Sequence, residues 1–600
     1  MSPEGAVVTA ATLPVATIAD TDVSYARPVT TVLPGQAPLP AANAAALIRA
    51  NGTAPERRDR PAIRFGEETW THGDLLAQAE RHAAFHAAVR GERERPTHVG
   101  VLADNIPEYL FVLAGAALSG STVVGLNHTR VGDALARDIS HTDVDVIVTE
   151  PRHLDSLAGL DLGGRPVLVS HRWDDGGRGD DLDAALDGVA PVDLAEPDVD
   201  TRWALIFTSG TSGAPKAVVC TQRRLLTTGN RMAMMMDLGP DDVGYICMPL
   251  FHSNALMVGW APSIVVGASV GLARRFSASG WLTDVRRYRS TWFNYTGKPL
   301  SYLVATPERA DDGDNTLRVA FGNEGSPQVV DEFRRRFGVE VIDAFGSTEG
   351  AIAVNRDVEA REGALGVAGD TIAVVDESGA GCPPARFDAD GRLENPTECV
   401  GEIVNTAGAG PFEGYYNNAE ATGRATRDGW YWSGDLGYLD ADRYLYFAGR
   451  TADWIRVDGE NFPAGPILDA ICSHPDVVVG SVYGVPDVHS GDQVMAAVVL
   501  RGGATFDGVA FGAWGDALGG IGPKWRPRYV RVATELPTTG TNKVVTRTLV
   551  HQKYRRDRVG SDGLWVRDRG ETAYRPFTSG DESELRSAMV DAGRERFWDL

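Results

Sequence analysis

Residues 202–222, RWALIFTSGTSGAPKAVVCTQ, constrain this chain more than any other stretch. An apolar strand, Ala204–Phe207, runs into Thr208, Ser209, Gly210, Thr211, Ser212 and Gly213, with Lys216 behind them. Small residues let backbone N–H groups approach an anion closely, and the hydroxyls add further donors. The lysine supplies a point charge suited to phosphate. The spacing is not that of a Walker loop, because two residues separate Gly210 from Gly213 and Lys216 does not follow a glycine. The segment therefore reads as a phosphate loop of another kind.

The text around it alternates. Residues 62–90 read as a short hairpin running into a helix, with apolar positions at Leu75, Leu76, Ala79, Ala83 and Phe85. Residues 97–127 read as strand, loop, apolar helix and strand, and DVDVIVTE and GRPVLVSH add β-branched runs bounded by polar turns. This alternation continues through Gly350 and predicts mostly parallel, helix-covered sheets of the α/β class. After it, GALGVAGDTIAVVDESGAGCP, GEIVNTAG and YLYFAGR are brief strands between turns, a β-rich subdomain over about 355–450. PILDAICSHPDVVVGSVYGVPDVHSGDQVMAAVVLR then gives helix, strand, turn and strand on a small α+β scale. The expected organisation is an N-terminal extension over 1–45, a large domain over 46–450 and a small C-terminal domain over 451–600. The boundary falls at Arg450 to Asp453.

Composition removes several function classes. Six hundred residues, 43% hydrophobic and 23% charged, make a multi-domain globular chain. With 58 basic against 81 acidic side chains the net charge is −23, which repels a nucleic-acid backbone. The cluster Arg334-Arg335-Arg336 reads as a solvated helix face. Cys220, Cys247, Cys382, Cys399 and Cys472 form no C-x-x-C pair and have no histidine at zinc-ligand spacing, so they read as buried thiols of a reducing cytosol. The run Val243–Ala273 lacks Asp, Glu, Lys and Arg, but Pro249, Pro262, His252, Asn254 and several glycines interrupt it. It reads as a buried helix and strand rather than a membrane span. With no signal-peptide pattern at the start, the expected location is cytoplasmic.

Four further segments carry chemistry. DAFGSTEGA follows the apolar run Val339–Ile342 and puts Ser347, Thr348 and Glu349 at a strand's carboxyl end. GWYWSGDLGYLD carries Asp435 between glycines, and YLYFAGRTADWIRVDGENF carries Arg450 and Gly459. LPTTGTNKVVTRTLV carries Lys543 in a Thr/Gly-rich turn. Singly, Asp435 reads as a turn residue and Lys543 as a solvated one. Together with the phosphate loop they read as parts of one site.

Five motifs in this order, over roughly residues 60–560, make the chain resemble the AMP-forming, adenylate-forming superfamily of acyl-CoA synthetases, luciferases and peptide-synthetase adenylation domains. FNYTGKPLSYLVATP, GVEVIDAFGSTEG, RVDGENF and TGTNK resemble most the fatty-acid-transport-protein and very-long-chain acyl-CoA synthetase branch. The resemblance implies ATP, Mg²⁺ and coenzyme A. It implies that Thr208–Lys216 closes on the β- and γ-phosphates, that Glu349 and Thr208 hold Mg²⁺, and that Thr348 touches the α-phosphate. Phe345 and Gly346 would flank adenine, with Gly322, Asn323 and Glu324 as the opposite wall. Asp435 would accept from the ribose hydroxyls, Arg450 would hold ribose and phosphate, and Lys543 would bridge the α-phosphate and the incoming carboxylate. His252, in PLFHSNAL, matches the gate of the acyl pocket, lined by the helix from Leu256 and by Trp292–Thr296. Rotation near residue 452 would exchange Lys543 for the Gly459 loop and admit coenzyme A.

The function so implied is an ATP-dependent ligase that forms an acyl adenylate, then an acyl-CoA thioester, from a medium- or long-chain or aryl acid. The alternatives are a diazotase that adenylates nitrite for transfer to an arylamine, or an acyl-AMP ligase without CoA transfer. Expected partners are the acid, ATP and CoA, in a monomer or homodimer. Two departures stand out. The position two after Arg450 is Ala452, and DGEN replaces the usual loop of small-acid ligases, which leaves the coenzyme A contacts beyond Gly459 open.

Overall fold

A computed structural model describes residues 39–598 apart from 174–176, 209–215, 324, 326, 356–360, 362, 390–392, 451–453, 458–459, 489–491, 519–521, 540–542, 593 and 596–597. Two large sheets dominate it. One runs, edge to edge, Asp180–Asp181, Val167–Val169, Val146–Thr149, His98–Leu102, Thr122–Gly125, Arg202–Thr208 and Lys216–Thr221. Its pairs are parallel except the last, an antiparallel hairpin. The other sheet has a parallel centre of Ser269–Leu272, Val243–Ile246, Trp292–Thr296, Val319–Asn323 and Glu340–Gly346. These central strands are buried on both faces, which is why they read as continuous apolar runs rather than alternating ones.

The helix Pro107–Ser119 fills a central place and is buried on every face from Pro107 to Leu118. Proline at its first position and Gly120 in the left-handed region after it set its ends. It crosses the helix His72–Arg90 so closely that a Cβ on Gly115 would stand 2.5 Å from the His82 Cβ. The run Val243–Ala273 becomes a strand, a π-helix Asn254–Trp260, a short helix Ala261–Val266 and a second strand. Among the described residues no helix is long and apolar enough to cross a membrane. The first described helix, Ala44–Thr53, lies across position 45 and buries Leu47 and Ile48 in the main core.

The β-rich region is an antiparallel five-stranded sheet of Ala364–Val367, Tyr444–Arg450, Tyr431–Leu439, Gly401–Asn405 and Ile372–Val375. Further on, Val477–Pro486, Asp492–Leu500, Tyr529–Ala533, Gly563–Arg567 and Tyr574–Pro576 form another five-stranded sheet. Residues beyond 560 thus extend that sheet, and Trp598 closes a core around Tyr529 and Tyr554. The helix Gly297–Ala305 meets this small sheet: Tyr302 packs on its core, and Arg501 donates to the Val304 carbonyl at 3.4 Å.

Two expectations need correcting. Arg336 is not on a solvated face: it turns inward to Asp312 at 2.5 Å, both side chains 3% exposed, and donates to the Thr306 and Pro307 carbonyls behind the helix Gly297–Ala305. Amphipathic spacing makes Arg334 and Arg335 outward-facing, but the third arginine of a consecutive run falls on the helix's inner flank. The five thiols are free, but only Cys220, Cys247 and Cys399 are buried, with Cys382 and Cys472 half-buried.

Candidate active site

The hairpin Arg202–Thr208 and Lys216–Thr221 places Thr208 opposite Lys216, with the Thr208 hydroxyl donating to the Lys216 carbonyl at 3.4 Å. Ser209, Gly210, Thr211, Ser212 and Gly213 lie outside the described residues. The Lys216 ammonium stands 5.5 Å from the centroid of the Tyr415 ring. Tyr415 also donates to Glu349 Oε1 at 2.7 Å, so one tyrosine links the two predicted segments. It is bridged to the same hairpin through the backbone pairing of Val218 with Tyr415.

Glu349 is 8% exposed, in the turn after the strand Glu340–Gly346. The Gly350 amide donates back to the Ser347 carbonyl at 3.0 Å. Gly350 itself has φ +72°, a backbone state that favours glycine, so this turn requires one there. Arg224 donates to the Thr348 carbonyl, and the Thr348 hydroxyl lies 3.1 Å from Ser253 Oγ. Tyr431 faces the same turn: burial and the Glu349 charge push its hydroxyl pKa up, against a hydrogen bond with Ser347. Tyr415, Arg224, Ser253 and Tyr431 were not singled out as site residues: Tyr415 stands outside every motif, and the other three, though in or beside motif segments, act through contacts that only the fold creates.

Phe345 packs on Phe447 with ring centroids 5.8 Å apart, and Gly346, which ends its strand, is exposed. The neighbouring strand Val319–Asn323 ends on Gly322 and Asn323, and Asn323 Oδ1 is buried without a hydrogen-bond partner among the described residues. Glu324 lies outside them. Tyr295 and the Gly325 amide both donate to Asp343 Oδ2, at 2.8 and 2.9 Å, which ties three adjacent strand ends together.

Asp435 proves to be a strand residue rather than a turn residue. It is 8% exposed within Tyr431–Leu439, its amide donates to Ser433 Oγ at 3.0 Å, and it pairs in register with Arg450. The flanking Gly434, at φ +75°, breaks the strand's regularity beside it. Gly459 lies outside the described residues.

Lys543 is held in a tight loop. The Thr539 amide donates to the Lys543 carbonyl at 2.7 Å, the Lys543 amide donates to Thr539 Oγ1 at 3.2 Å, and Thr538 pairs with Val544. The loop belongs to the small sheet's side, yet the charge of Lys543 is felt at His252 beside the large sheet. Burial, with the charges of Lys543 and His128, holds His252 down to about 3. Ser253 follows His252 and touches Thr348, so the predicted gate histidine and α-phosphate threonine lie at one edge. The π-helix after His252 puts Gly259 against Asn294, and Asn294 donates to Asn254 Oδ1 at 2.6 Å. Single π-turns concentrate at functional sites.

This arrangement has relatives. Residues 51–416 match the model of the AMP-binding enzyme family, and 469–543 match the AMP-binding enzyme C-terminal domain. The chain is 45% identical over 546 residues to a steroid-22-oyl-CoA synthetase of Rhodococcus jostii, covering 90% of this chain and 96% of that one. It is 46% identical over 473 residues to the medium/long-chain-fatty-acid–CoA ligase FadD17 of Mycobacterium tuberculosis, covering 78% and 90%. Among solved structures it is similar in fold to ATP-bound MatB from Rhodopseudomonas palustris, with a TM-score of 0.70 at 23% identity, over 85% and 98% of the two chains.

Proposed function

This chain belongs to the AMP-binding enzyme family and is an AMP-forming acyl-CoA synthetase, and on that premise we propose that it activates a large apolar carboxylic acid of the medium- or long-chain fatty-acid or steroid side-chain type. Two relatives named for such acids support that class, each matched over nine-tenths or so of its length. The apolar residues Leu256, Met257, Trp260 and Trp292, buried around the π-helix beside His252, support it as well.

The observation that supports the mechanism is the Ser253–Thr348 contact beside His252, a histidine on which the Lys543 charge also acts. In the first step a carboxylate oxygen attacks the α-phosphorus of ATP and pyrophosphate leaves. The carboxylate is already ionised, so no general base is needed. Charge grows on the non-bridging oxygens, and the Lys543 ammonium with Thr348 stabilises it. Asp435 accepts from the ribose hydroxyls, Arg450 holds ribose and phosphate, and the loop Thr208–Lys216 holds the outer phosphates. Asn323 Oδ1, a buried acceptor without a donor among the described residues, suits the adenine amino group. Phe345 and Gly346 flank the base.

Glu349 and Thr208 offer a carboxylate and a hydroxyl, the hard oxygen donors that fit Mg²⁺. Bound there, the ion would offset the charge of the outer phosphates. In the second step the coenzyme A thiolate attacks the acyl carbonyl carbon and AMP leaves. We assign residues 46–450 and 451–600 as the two units whose rotation near 452 separates the steps, with Gly459 serving the second. Free thiols support a cytoplasmic location.

The test is pyrophosphate release from ATP over fatty, steroidal and aryl acids, and over nitrite with an arylamine, each with and without coenzyme A. Release with long or steroidal acids that ends in a thioester supports the reading. Release confined to small aryl acids, or to nitrite regardless of coenzyme A, overturns it.

A further inference from the structure

Beside the ATP edge, three loops of the seven-stranded sheet bring together residues that the reaction does not use. Asp104 follows the strand His98–Leu102, His128 follows Thr122–Gly125, and His153 follows Val146–Thr149. These strands are neighbours, with Asp104 on the middle one, so both imidazoles come to its carboxylate. One ligand atom from each lies within 4.8 Å of the others. His153 Nε2 is 2.9 Å from Asp104 Oδ1, and His128 Nδ1 is 3.9 Å from the same oxygen. The rings stack with centroids 5.1 Å apart. We propose that Asp104, His128 and His153 form a binding site for one divalent transition-metal ion of the zinc class, separate from the Mg²⁺·ATP site.

Three features carry this. First, His128 Nδ1 is buried and has no hydrogen-bond partner among the described residues. At 3.9 Å it is too far from Asp104 for a hydrogen bond, but close to the separation of two ligands on one ion with bonds of about 2.0–2.2 Å.

Second, the outer contacts hold the cluster in place, and the His153 Nε2–Asp104 Oδ1 hydrogen bond at 2.9 Å is the contact a bound ion would replace. Arg152 donates to Asp104 Oδ2 at 2.8 Å, which directs Oδ1 to the imidazoles. Glu150 Oε1 accepts the Asp104 amide at 2.7 Å, and Glu150 Oε2 pairs with Arg274. The two carboxylates and two guanidiniums cancel, so the cation's ligands are two imidazoles and one oxygen. Such outer-shell bonds are what orient metal ligands.

Third, the donor set selects the ion. Two nitrogens and one carboxylate oxygen suit Zn²⁺, Co²⁺ or Ni²⁺ and disfavour Mg²⁺, which prefers oxygen alone. The site also stands one ring from the predicted acyl gate. Phe251 lies 5.1 Å from His128 and 5.0 Å from His252, so the ion would brace the loops around that gate.

The test uses full-length, tag-free protein stripped of metal and titrated with Co²⁺, followed by Zn²⁺ displacement and elemental analysis. The expected result is one equivalent bound, with visible Co²⁺ bands lost on adding Zn²⁺. His128→Ala, His153→Ala and Asp104→Asn should each weaken binding by about tenfold or more. A wild-type readout stands apart from the variants' folding: Zn²⁺ should protect His128 and His153 from carbethoxylation, read by peptide mass, while excess Mg²⁺ should not. Uptake of no Co²⁺ or Zn²⁺ by wild type, equal binding by all variants, or equal labelling of both histidines with and without Zn²⁺ overturns the proposal.

Discussion

Tyr415 donates to Glu349 Oε1 at 2.7 Å while its ring faces the Lys216 ammonium, so one side chain orients both the carboxylate and the loop lysine of the nucleotide edge. The tyrosine lies far along the chain from both partners. It reaches them because its backbone pairs with the hairpin that carries Lys216.

Tyr415→Phe keeps the ring and removes the hydroxyl. A hydrogen bond to a charged group contributes about 1.5–3 kcal/mol, so kcat/KM for adenylation should fall by roughly tenfold to a hundredfold. ATP–pyrophosphate exchange should also need more Mg²⁺ to saturate. Unaltered exchange kinetics across a Mg²⁺ titration would show that Glu349 needs no such partner.

Lys543→Ala should slow adenylation by about a hundredfold or more, the usual scale for losing a charge aimed at a developing oxyanion. Thioester formation from preformed acyl adenylate should stay within a few-fold of wild type. Equal loss in both half-reactions would mean that Lys543 serves the fold or both steps alike.

The Arg336–Asp312 pair is buried and braces the end of the helix Gly297–Ala305, on which the small sheet rests. Removing one partner leaves an uncompensated buried charge, which destabilises by about 3–5 kcal/mol. Asp312→Ala should therefore lower the unfolding midpoint more than the double replacement Arg336→Met with Asp312→Leu. Denaturant titration of both variants decides it, and a double variant less stable than the single one rejects it.

Burial holds the His86 imidazole down to about 3 in the helix His72–Arg90. In the unfolded chain a histidine titrates near 6.5. Between those values the unfolded state binds more protons, so lowering pH through this window costs stability by up to about 1.4 kcal/mol per pH unit. His86→Leu removes that one group's slope. The stability difference between wild type and variant should shift against wild type from pH 7 to pH 5. A difference independent of pH would mean that His86 is already free to protonate in the folded protein.

Much of the site was legible because its chemistry is local in sequence. A phosphate loop needs glycines and hydroxyls in consecutive positions, so Thr208–Lys216 shows in the text whatever surrounds it. The turn at Ser347–Gly350 shows for the same reason. Residues that act by support do not share this property. Arg224 reaches the Thr348 carbonyl from a helix, and Ser253 reaches the Thr348 hydroxyl from the loop before the π-helix. Asp435 was legible as a candidate but not as a strand residue, because the glycines around it signal a turn until the pairing with Arg450 is known.

The sequence by itself determined the element types, the parallel-sheet class and the anion-binding turns, since each depends on residues within a few positions of one another. Only the tertiary structure decided which distant groups meet. It turned Arg336 inward, tied Tyr415 to Glu349, let the Lys543 charge act on His252 and gathered His128 and His153 at Asp104. The physical reason is that a parallel sheet aligns the ends of strands separated in sequence by whole crossover connections. Local composition carries no record of which ends will be neighbours.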